Sequence, residues 1–342
     1  MQRTHTCLFL ILSFCFATAF AHAQAATAGG STADIESQAK SLYQQQKYSE
    51  AFAAYQQGAE QGSAVCQYGL AGMFESGLGT TKDNEQALKW LNEAARQDFP
   101  NAENHLGNMY FSGNGTGRNY DKAFSWFAKA ARQGYAPAET NLAIFYRNGW
   151  GTRQDYAQAF EWYSKAAAQG FAAAEDGLGF MYQKGFGTAQ DYAQALAWYS
   201  KAAAQGNPDA QRNLGLMYQN GWGVTQDYTQ ALVWFSRAAQ QGFAAAEDDM
   251  GLMYFNGKGT EENYAQALAW FKKAAAHGDV AAETNLGYMY MYGRGVALDY
   301  TKAREWFNKA VSLGSDEAKA WLSWMDRQTV AAAPANRSSS AF

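Results

Sequence analysis

The most regular feature of the chain is an apolar pattern that returns every 36 residues. Tryptophan keeps this step at Trp90, Trp126, Trp162, Trp198, Trp234, Trp270 and Trp306. A fixed period of this length is typical of a solenoid, in which each unit buries its apolar faces only against its neighbours. The pattern defines seven units without insertion or deletion: residues 63–98, 99–134, 135–170, 171–206, 207–242, 243–278 and 279–314.

Each unit predicts two helices joined by a tight turn. In the third unit, Leu142 and Phe145 belong to an apolar stripe at helical spacing. Gly149, the first of two paired glycines, ends this helix because glycine adopts a left-handed C-cap at little cost. Asp155 then serves as the N-cap of a second amphipathic helix, which ends at Gly170.

The two ends of the chain depart from this unit. Residues 34–62 predict a shorter hairpin without the paired glycines, preceded by a linker over residues 24–33. Residues 315–327 predict a final helix that caps the last unit. Residues 328–342 are rich in Ala and Ser and predict a disordered tail.

The N-terminus has the features of a secretory signal peptide. Residues 1–23 contain Arg3, an apolar run from Leu8 to Phe20, and a small-x-small site that ends at Ala23. The run is shorter than the roughly 20 residues of a membrane-spanning helix. We therefore expect cleavage after Ala23 and no stable membrane insertion afterwards. The expected location is the periplasm, with a secreted or host-facing destination as the alternative.

Composition narrows the classes of partner. Cys66 is the only cysteine beyond the signal peptide, so no intramolecular disulfide is expected. Removing Arg3 leaves 26 basic and 31 acidic residues, a net charge of −5. No cluster of Lys and Arg suggests nucleic-acid binding. Protein partners are the expectation, and the oligomeric state stays open.

Candidate catalytic and metal-binding groups are scarce. Beyond the signal peptide the only histidines are His105 and His277, nearly five units apart, and neither has a suitably spaced metal ligand. We therefore expect no catalytic residues, metal site or cofactor. Carboxylates recur at one position, where glutamine also serves, and this exchange favours structural hydrogen bonding over catalysis. The position is occupied by Gln67, Glu103, Glu139, Glu175, Gln211, Glu247 and Glu283.

The fourth unit shows the residues that carry a family resemblance: Ala174, Leu178, Gly179, Tyr182, Gly185, Gly187, Asp191, Tyr192, Ala195, Trp198, Tyr199, Lys201, Ala202, Ala203 and Gly206. They resemble the Sel-one-like repeat family, a relative of the tetratricopeptide repeat, over residues 63–314. Asn84 departs from the pattern by replacing a tyrosine. The resemblance implies an all-α fold, a right-handed α/α superhelical solenoid of helix-turn-helix repeats. It also implies an adaptor role in protein complexes, with first helices lining the concave surface.

This fold does not identify the partner. We expect a non-enzymatic scaffold of the bacterial cell envelope or secreted space that binds partner peptides or domains in its concave groove. One alternative is a hydrolase acting on β-lactams or cell-wall peptides, because a cysteine-rich branch of the family has been described as β-lactamases. That branch pairs cysteines within each repeat, and this chain has no such pairs. Another alternative is a secreted virulence factor that binds host proteins.

A second stripe on the first helices varies among units and yet is rich in apolar residues. In the fourth unit, Asp176, Phe180 and Gln183 lie roughly 160–200° around the helix from the constant stripe. We expect the stripe to line a peptide-binding groove, the alternative being padding between adjacent first helices. Apolar members would anchor a partner, and Arg147 and Arg212 would orient its acidic groups. The predicted partner-binding residues are Phe111, Ile144, Arg147, Phe180, Gln183, Arg212, Leu216, Gln219, Leu252, Phe255, Tyr288 and Met291.

The residues between the paired glycines form a second candidate surface. Trp150, Phe186 and Trp222 occupy this position in three consecutive units. We predict either an exposed aromatic ridge that binds partners or three rings that each fold onto the second helix of the next unit.

Overall fold

The structure is a computed structural model that describes residues 31–332, with side chains to Gln328. Over this range the chain forms helices and no strands. The predicted signal peptide lies outside the described residues, as do most of the predicted linker and most of the predicted tail. No helix in residues 31–332 is both long and apolar enough to cross a membrane.

Seventeen helices follow one another over the described residues. In chain order they are α1 (Thr32–Gln44), α2 (Tyr48–Glu60), α3 (Ala64–Ser76), α4 (Asn84–Ala95), α5 (Pro100–Ser112), α6 (Tyr120–Arg132), α7 (Ala136–Asn148), α8 (Tyr156–Ala168), α9 (Ala172–Lys184), α10 (Tyr192–Ala204), α11 (Pro208–Asn220), α12 (Tyr228–Gln240), α13 (Ala244–Asn256), α14 (Tyr264–Ala276), α15 (Val280–Tyr292), α16 (Tyr300–Ser312) and α17 (Asp316–Ala332). The predicted all-α solenoid of two-helix units is confirmed.

Local signals explain where the helices begin and end. Gly149 ends α7 with φ 69°, in the left-handed region that glycine enters freely. Asp155 begins α8, and its Oδ1 accepts a hydrogen bond from the backbone N–H of Gln158 at 3.0 Å. Each unit repeats this pair of signals with Asp or Asn as the second N-cap.

The hairpins stack in chain order around a continuous core. Helix α8 packs against both α7 and α9, and the other units repeat this arrangement. First helices also contact the first helices of neighbouring units, as α5 contacts α7 and α7 contacts α9, which places them along the inner side of the stack. Small side chains such as Ala159 and Ala166 are fully buried and let the helices approach closely.

The two ends complete the stack in different ways. Helix α1 begins at Thr32, inside the range predicted as a linker, because Ser31 and Asp34 form a capping box. Helix α17 extends to Ala332, beyond the predicted end at residue 327. It takes the place of a further first helix, since Ala318 and Met325 are buried 36 residues after Ala282 and Met289.

Candidate interaction surface

The predicted partner-binding stripe lies along the first helices, and we call it the inner wall. Leu252 is its most exposed apolar member, with 36% of its surface accessible. The other apolar members, Met291 excepted, are half-buried: Phe111, Ile144, Phe180, Leu216, Phe255 and Tyr288. The inner wall is therefore a surface of partly covered apolar groups rather than a row of fully exposed ones.

Contacts between units explain this partial burial. Phe180 packs against the core cluster that contains Tyr163 and also against the cluster that contains Tyr199. The ring centroids of Phe255 and Tyr288, one unit apart, lie 5.9 Å from each other. Neighbouring members of the inner wall thus pad the junction between units while keeping one side accessible.

Two members of the stripe are buried, and the prediction that they lie on an open surface is wrong. Gln183 is 9% exposed because its Oε1 accepts a hydrogen bond from the Tyr199 hydroxyl at 2.8 Å. Met291 is 2% exposed because α17 covers the last unit, with Trp321 packed in the same cluster. Neither side chain is available to a partner.

The two arginines of the stripe have partners within the chain. The Arg147 guanidinium lies 5.2 Å from the centroid of the Phe180 ring, a cation–π contact. Arg212 forms an ion pair with Asp249, with Nε and Oδ2 2.5 Å apart. The predicted role of these arginines in orienting acidic groups of a partner thus competes with internal contacts. Gln219 is half-buried, and its backbone carbonyl accepts a hydrogen bond from Gln226.

Amide and carboxylate side chains join successive units along the inner wall. The Nδ2 of Asn141 donates to Asn104 Oδ1 at 2.9 Å. Asn285 repeats this bond with Asp248 Oδ1 at 2.8 Å, and Asn213 with Asp176 Oδ1 at 2.9 Å. Sequence reasoning missed these bonds. The available signal was that each acceptor is followed 37 positions later by an asparagine.

The two aspartates in these bonds, Asp176 and Asp248, have raised pKa values. Burial, reinforced by the carboxylate of Asp209, raises the pKa of Asp176 to about 7. Burial and the carboxylate of Asp279 raise the pKa of Asp248 to about 7 in the same way. Each hydrogen bond from asparagine opposes the shift but does not cancel it. The later part of the inner wall therefore changes charge near neutral pH.

The predicted aromatic ridge is a series of inter-unit stacks. The Phe186 ring stacks on Tyr156, with centroids 4.4 Å apart and planes at 10°. Trp150 stacks on Tyr120 and Trp222 on Tyr192 in the same manner. Each tyrosine begins the second helix of the preceding unit, so the rings do fold onto a neighbour, but onto the unit before rather than the unit after. We call these contacts the seam stacks.

The second of the paired glycines allows the loop to reach the preceding unit. A Cβ atom on Gly187 would lie 2.2 Å from the backbone oxygen of Tyr156, and one on Gly151 would lie 2.3 Å from that of Tyr120. No side chain fits at these distances. Where the residue between the glycines is basic, a cation replaces the ring: Arg294 lies 5.3 Å from the centroid of Tyr264.

The recurring carboxylates form what we call the carboxylate ladder. Gln169 donates to Glu139 Oε2 at 2.8 Å, and the same bond joins Gln133 to Glu103 and Gln205 to Glu175. In the sixth unit the Nδ1 of His277 lies 2.7 Å from Glu247 Oε2. The predicted hydrogen-bonding role is therefore confirmed.

The last unit breaks this ladder. The residue in the position of the glutamine donor is Leu313, and Glu283 Oε2 is buried without a hydrogen-bond partner. The other oxygen of Glu283 pairs with Lys309 at 2.7 Å. Over the described residues, no group of three His, Cys, Asp or Glu side chains could hold a metal ion.

The repeat geometry agrees with comparisons to known proteins. The family model for the Sel1 repeat matches residues 64–99, 100–135, 136–171, 172–207, 208–243, 244–279 and 280–315, each one residue later than the unit read from the sequence. The chain belongs to the Sel1 repeat family. Proteins with this solenoid fold are typically non-enzymatic interaction scaffolds.

Two solved structures of Sel1 repeat proteins are similar over most of the chain. A Sel1 repeat protein from Oxalobacter formigenes is 34% identical with a TM-score of 0.64, covering 86% of this chain and 90% of that one. A protective antigen of uropathogenic Escherichia coli strains that displays an SLR fold is also 34% identical, with a TM-score of 0.64. That match covers 79% of this chain but only 58% of the antigen. No curated protein sequence matches the chain significantly.

Proposed function

We propose that this Sel1 repeat protein is a non-enzymatic scaffold of the bacterial cell envelope or secreted space. It binds peptide segments or domains of partner proteins along its inner wall. Export rests on the signal-peptide pattern of residues 1–23. The similarity to a protective antigen of uropathogenic E. coli supports a host-facing destination as a second possibility.

One observation carries this proposal. The inner wall keeps an apolar residue at one position in five consecutive units, with four different side chains: Ile144, Phe180, Leu216, Leu252 and Tyr288. Core positions on the same helices hardly change, since the equivalents of Ala138 and Ala174 are buried alanines in every unit but the first, which has Cys66. A surface that stays apolar, varies in shape and remains partly accessible is suited to recognition of an apolar partner segment.

The test is a crosslinking pull-down from envelope extract, followed by affinity measurement with the purified partner. Leu252→Asp places a charge on the most exposed apolar position of the inner wall. Val233→Asp is the matched control, because Val233 is 39% exposed on the second helix α12. We expect the control to retain the partner and Leu252→Asp to weaken binding about tenfold or more, as interface hot spots do. If both variants bind the partner as tightly as the original protein does, the inner wall is not the binding surface.

Among the described residues, no arrangement of side chains favours the hydrolase alternative. Turnover of a chromogenic β-lactam by the pure protein would nevertheless establish it directly. The carboxylate ladder supplies a control for that assay, because its members are buried and hydrogen-bonded. A Glu139→Gln variant that loses turnover while remaining folded would assign chemistry to the ladder and overturn its structural role.

A further inference from the structure

The last repeat has apolar side chains, Tyr292 and Leu298, at two exposed positions where the earlier repeats are polar, and it also exposes Tyr300. Tyr292 is 42% exposed. Leu298 and Tyr300 are 56% and 54% exposed, and we call these two side chains the end patch. At the position of Tyr292 the earlier units carry Ser76, Ser112, Asn148, Lys184, Asn220 and Asn256. At the position of Leu298 they carry Lys82, Arg118, Gln154, Gln190, Gln226 and Glu262.

The two side chains of the end patch lie next to each other. In the third unit the equivalent of Leu298 is Gln154, whose Nε2 donates to the Tyr156 hydroxyl at 3.0 Å, so this position adjoins the tyrosine two residues later. By the same register Leu298 lies beside Tyr300. A Cβ atom on Gly293 would lie 3.3 Å from Leu298 Cβ, which places Leu298 beside the turn that follows Tyr292.

Tyr300 is also the end of the series of seam stacks. Tyrosines at its position in earlier units are covered by the loop of the following unit, with an aromatic ring on Tyr120, Tyr156 and Tyr192 and a cation on Tyr228 and Tyr264. A loop that covered Tyr300 would need paired glycines 36 positions after Gly293 and Gly295. Those positions are Thr329 and Ala331, which lie within α17. Helix α17 therefore continues where a covering loop would turn back, and Tyr300 stays exposed.

We propose that the end patch binds a short segment of a partner protein that carries an aromatic or arginine side chain followed by glycine. The patch continues the series of inter-repeat interfaces, and those interfaces specify its occupant. The ring or guanidinium stacks on Tyr300, as Phe186 does on Tyr156. Glycine follows because a Cβ atom at that point meets the tyrosine carbonyl, at 2.2 Å in the case of Gly187.

The size of the patch favours a short segment over a second copy of the chain. Two partly exposed side chains offer far less than the roughly 800 Å² per partner of a stable protein interface. Tyr292 belongs with the inner wall, because its ring centroid lies 4.5 Å from that of Tyr288. The end patch is tested by a variant at Tyr300 and the inner wall by a variant at Leu252, so failure of one proposal is distinguishable from failure of the other.

The probe is a synthetic peptide with the sequence of residues 184–191, the loop that covers Tyr156 within the chain. Titration into protein labelled with ¹³C at tyrosine and leucine follows the NMR signals of Tyr300 and Leu298. We expect saturable shifts of both. Replacing the peptide's Phe186 or Gly187 with Ala should weaken binding about fivefold or more, since an aromatic pair contributes about 1 kcal/mol.

Two protein variants complete the test. Tyr300→Asn removes the ring and uses the residue that stands at this position as Asn84, at the start of α4, so folding should be retained. It should lose the peptide. Leu313→Gln is the matched control, because Leu313 is 53% exposed at the opposite end of α16 and glutamine occupies its position in five earlier units. It should bind like the original protein.

Several results would overturn the proposal. They are an absence of saturable shifts at Tyr300, equal binding of the Ala-substituted peptides, and equal binding by Tyr300→Asn with an unchanged melting temperature. Analytical ultracentrifugation provides the last check. Self-association that Tyr300→Asn abolishes would identify a second copy as the occupant and contradict the proposed partner segment.

Discussion

The carboxylate ladder gives a prediction whose size follows from the structure. Glu139 is only 4% exposed, and Gln169 donates a hydrogen bond to one of its carboxylate oxygens at 2.8 Å. Burial raises the pKa of Glu139, while Lys165 and the bond from Gln169 oppose that shift. In Gln169→Leu this oxygen loses its donor, and a buried acceptor left in this way costs about 1–3 kcal/mol.

The last unit contains the equivalent of this variant naturally, because Leu313 stands where the donor belongs and Glu283 Oε2 has no partner. Leu313→Gln should therefore add about 1 kcal/mol, the net value of one hydrogen bond. It should raise Tm by about 2–4 °C. Leu313→Ala, which removes exposed apolar surface without adding a donor, is the control and should show no gain.

Urea denaturation followed by circular dichroism measures both changes. Hydrogen exchange in α8 and α9 shows whether Gln169→Leu weakens one junction or the whole stack, because repeat proteins lose stability locally as well as globally. A Gln169→Leu variant as stable as the original protein would refute the reasoning. So would a gain of equal size in Leu313→Gln and Leu313→Ala.

Two other predictions follow. Gly187→Ala should lower the free energy of unfolding by about 3 kcal/mol or more in a urea titration, because the added Cβ would meet the backbone carbonyl of Tyr156. The control is Gly206→Ala, which is also at positive φ but has open space around it and should cost about 1 kcal/mol. Because the folded pKa values of Asp176 and Asp248 are raised above the unfolded value of 3.8, the folded chain binds more protons between these limits. Stability should therefore rise as pH falls from 8 to 6, and replacing both aspartates with Asn should flatten that rise.

The fold could be predicted because period and capping signals are local. Gly149 and Asp155 set the ends of two helices from their own backbone preferences, and the 36-residue step transfers that result to every unit. The covering of side chains could not be predicted in the same way. Burial of Met291 depends on the length and position of α17, and the stack of Trp150 on the preceding unit depends on the direction of the loop.

Comparison between positions would have revealed one further contact. In the fourth unit the Tyr199 ring packs against Gly179, 20 residues earlier. The third unit has Ala143 at the position of Gly179, and its Tyr163 ring packs instead against Gly177 of the fourth unit. At the position of Gly177 most other units carry a larger polar residue. The exchange of glycine between these two positions marks a local rearrangement of the core that periodicity alone does not show.

The regular step of the units also affects how such a chain can change in length during evolution. Side-chain hydrogen bonds of the described residues span at most 37 positions, so each unit depends on its immediate neighbours. Loss of residues 171–206 as one block would bring Trp222 onto Tyr156, a pairing of the same kind as Trp222 on Tyr192. Gene duplications or deletions in multiples of 36 codons would thus shorten or extend the molecule without requiring new interfaces, whereas a deletion of any other size would misalign every later seam.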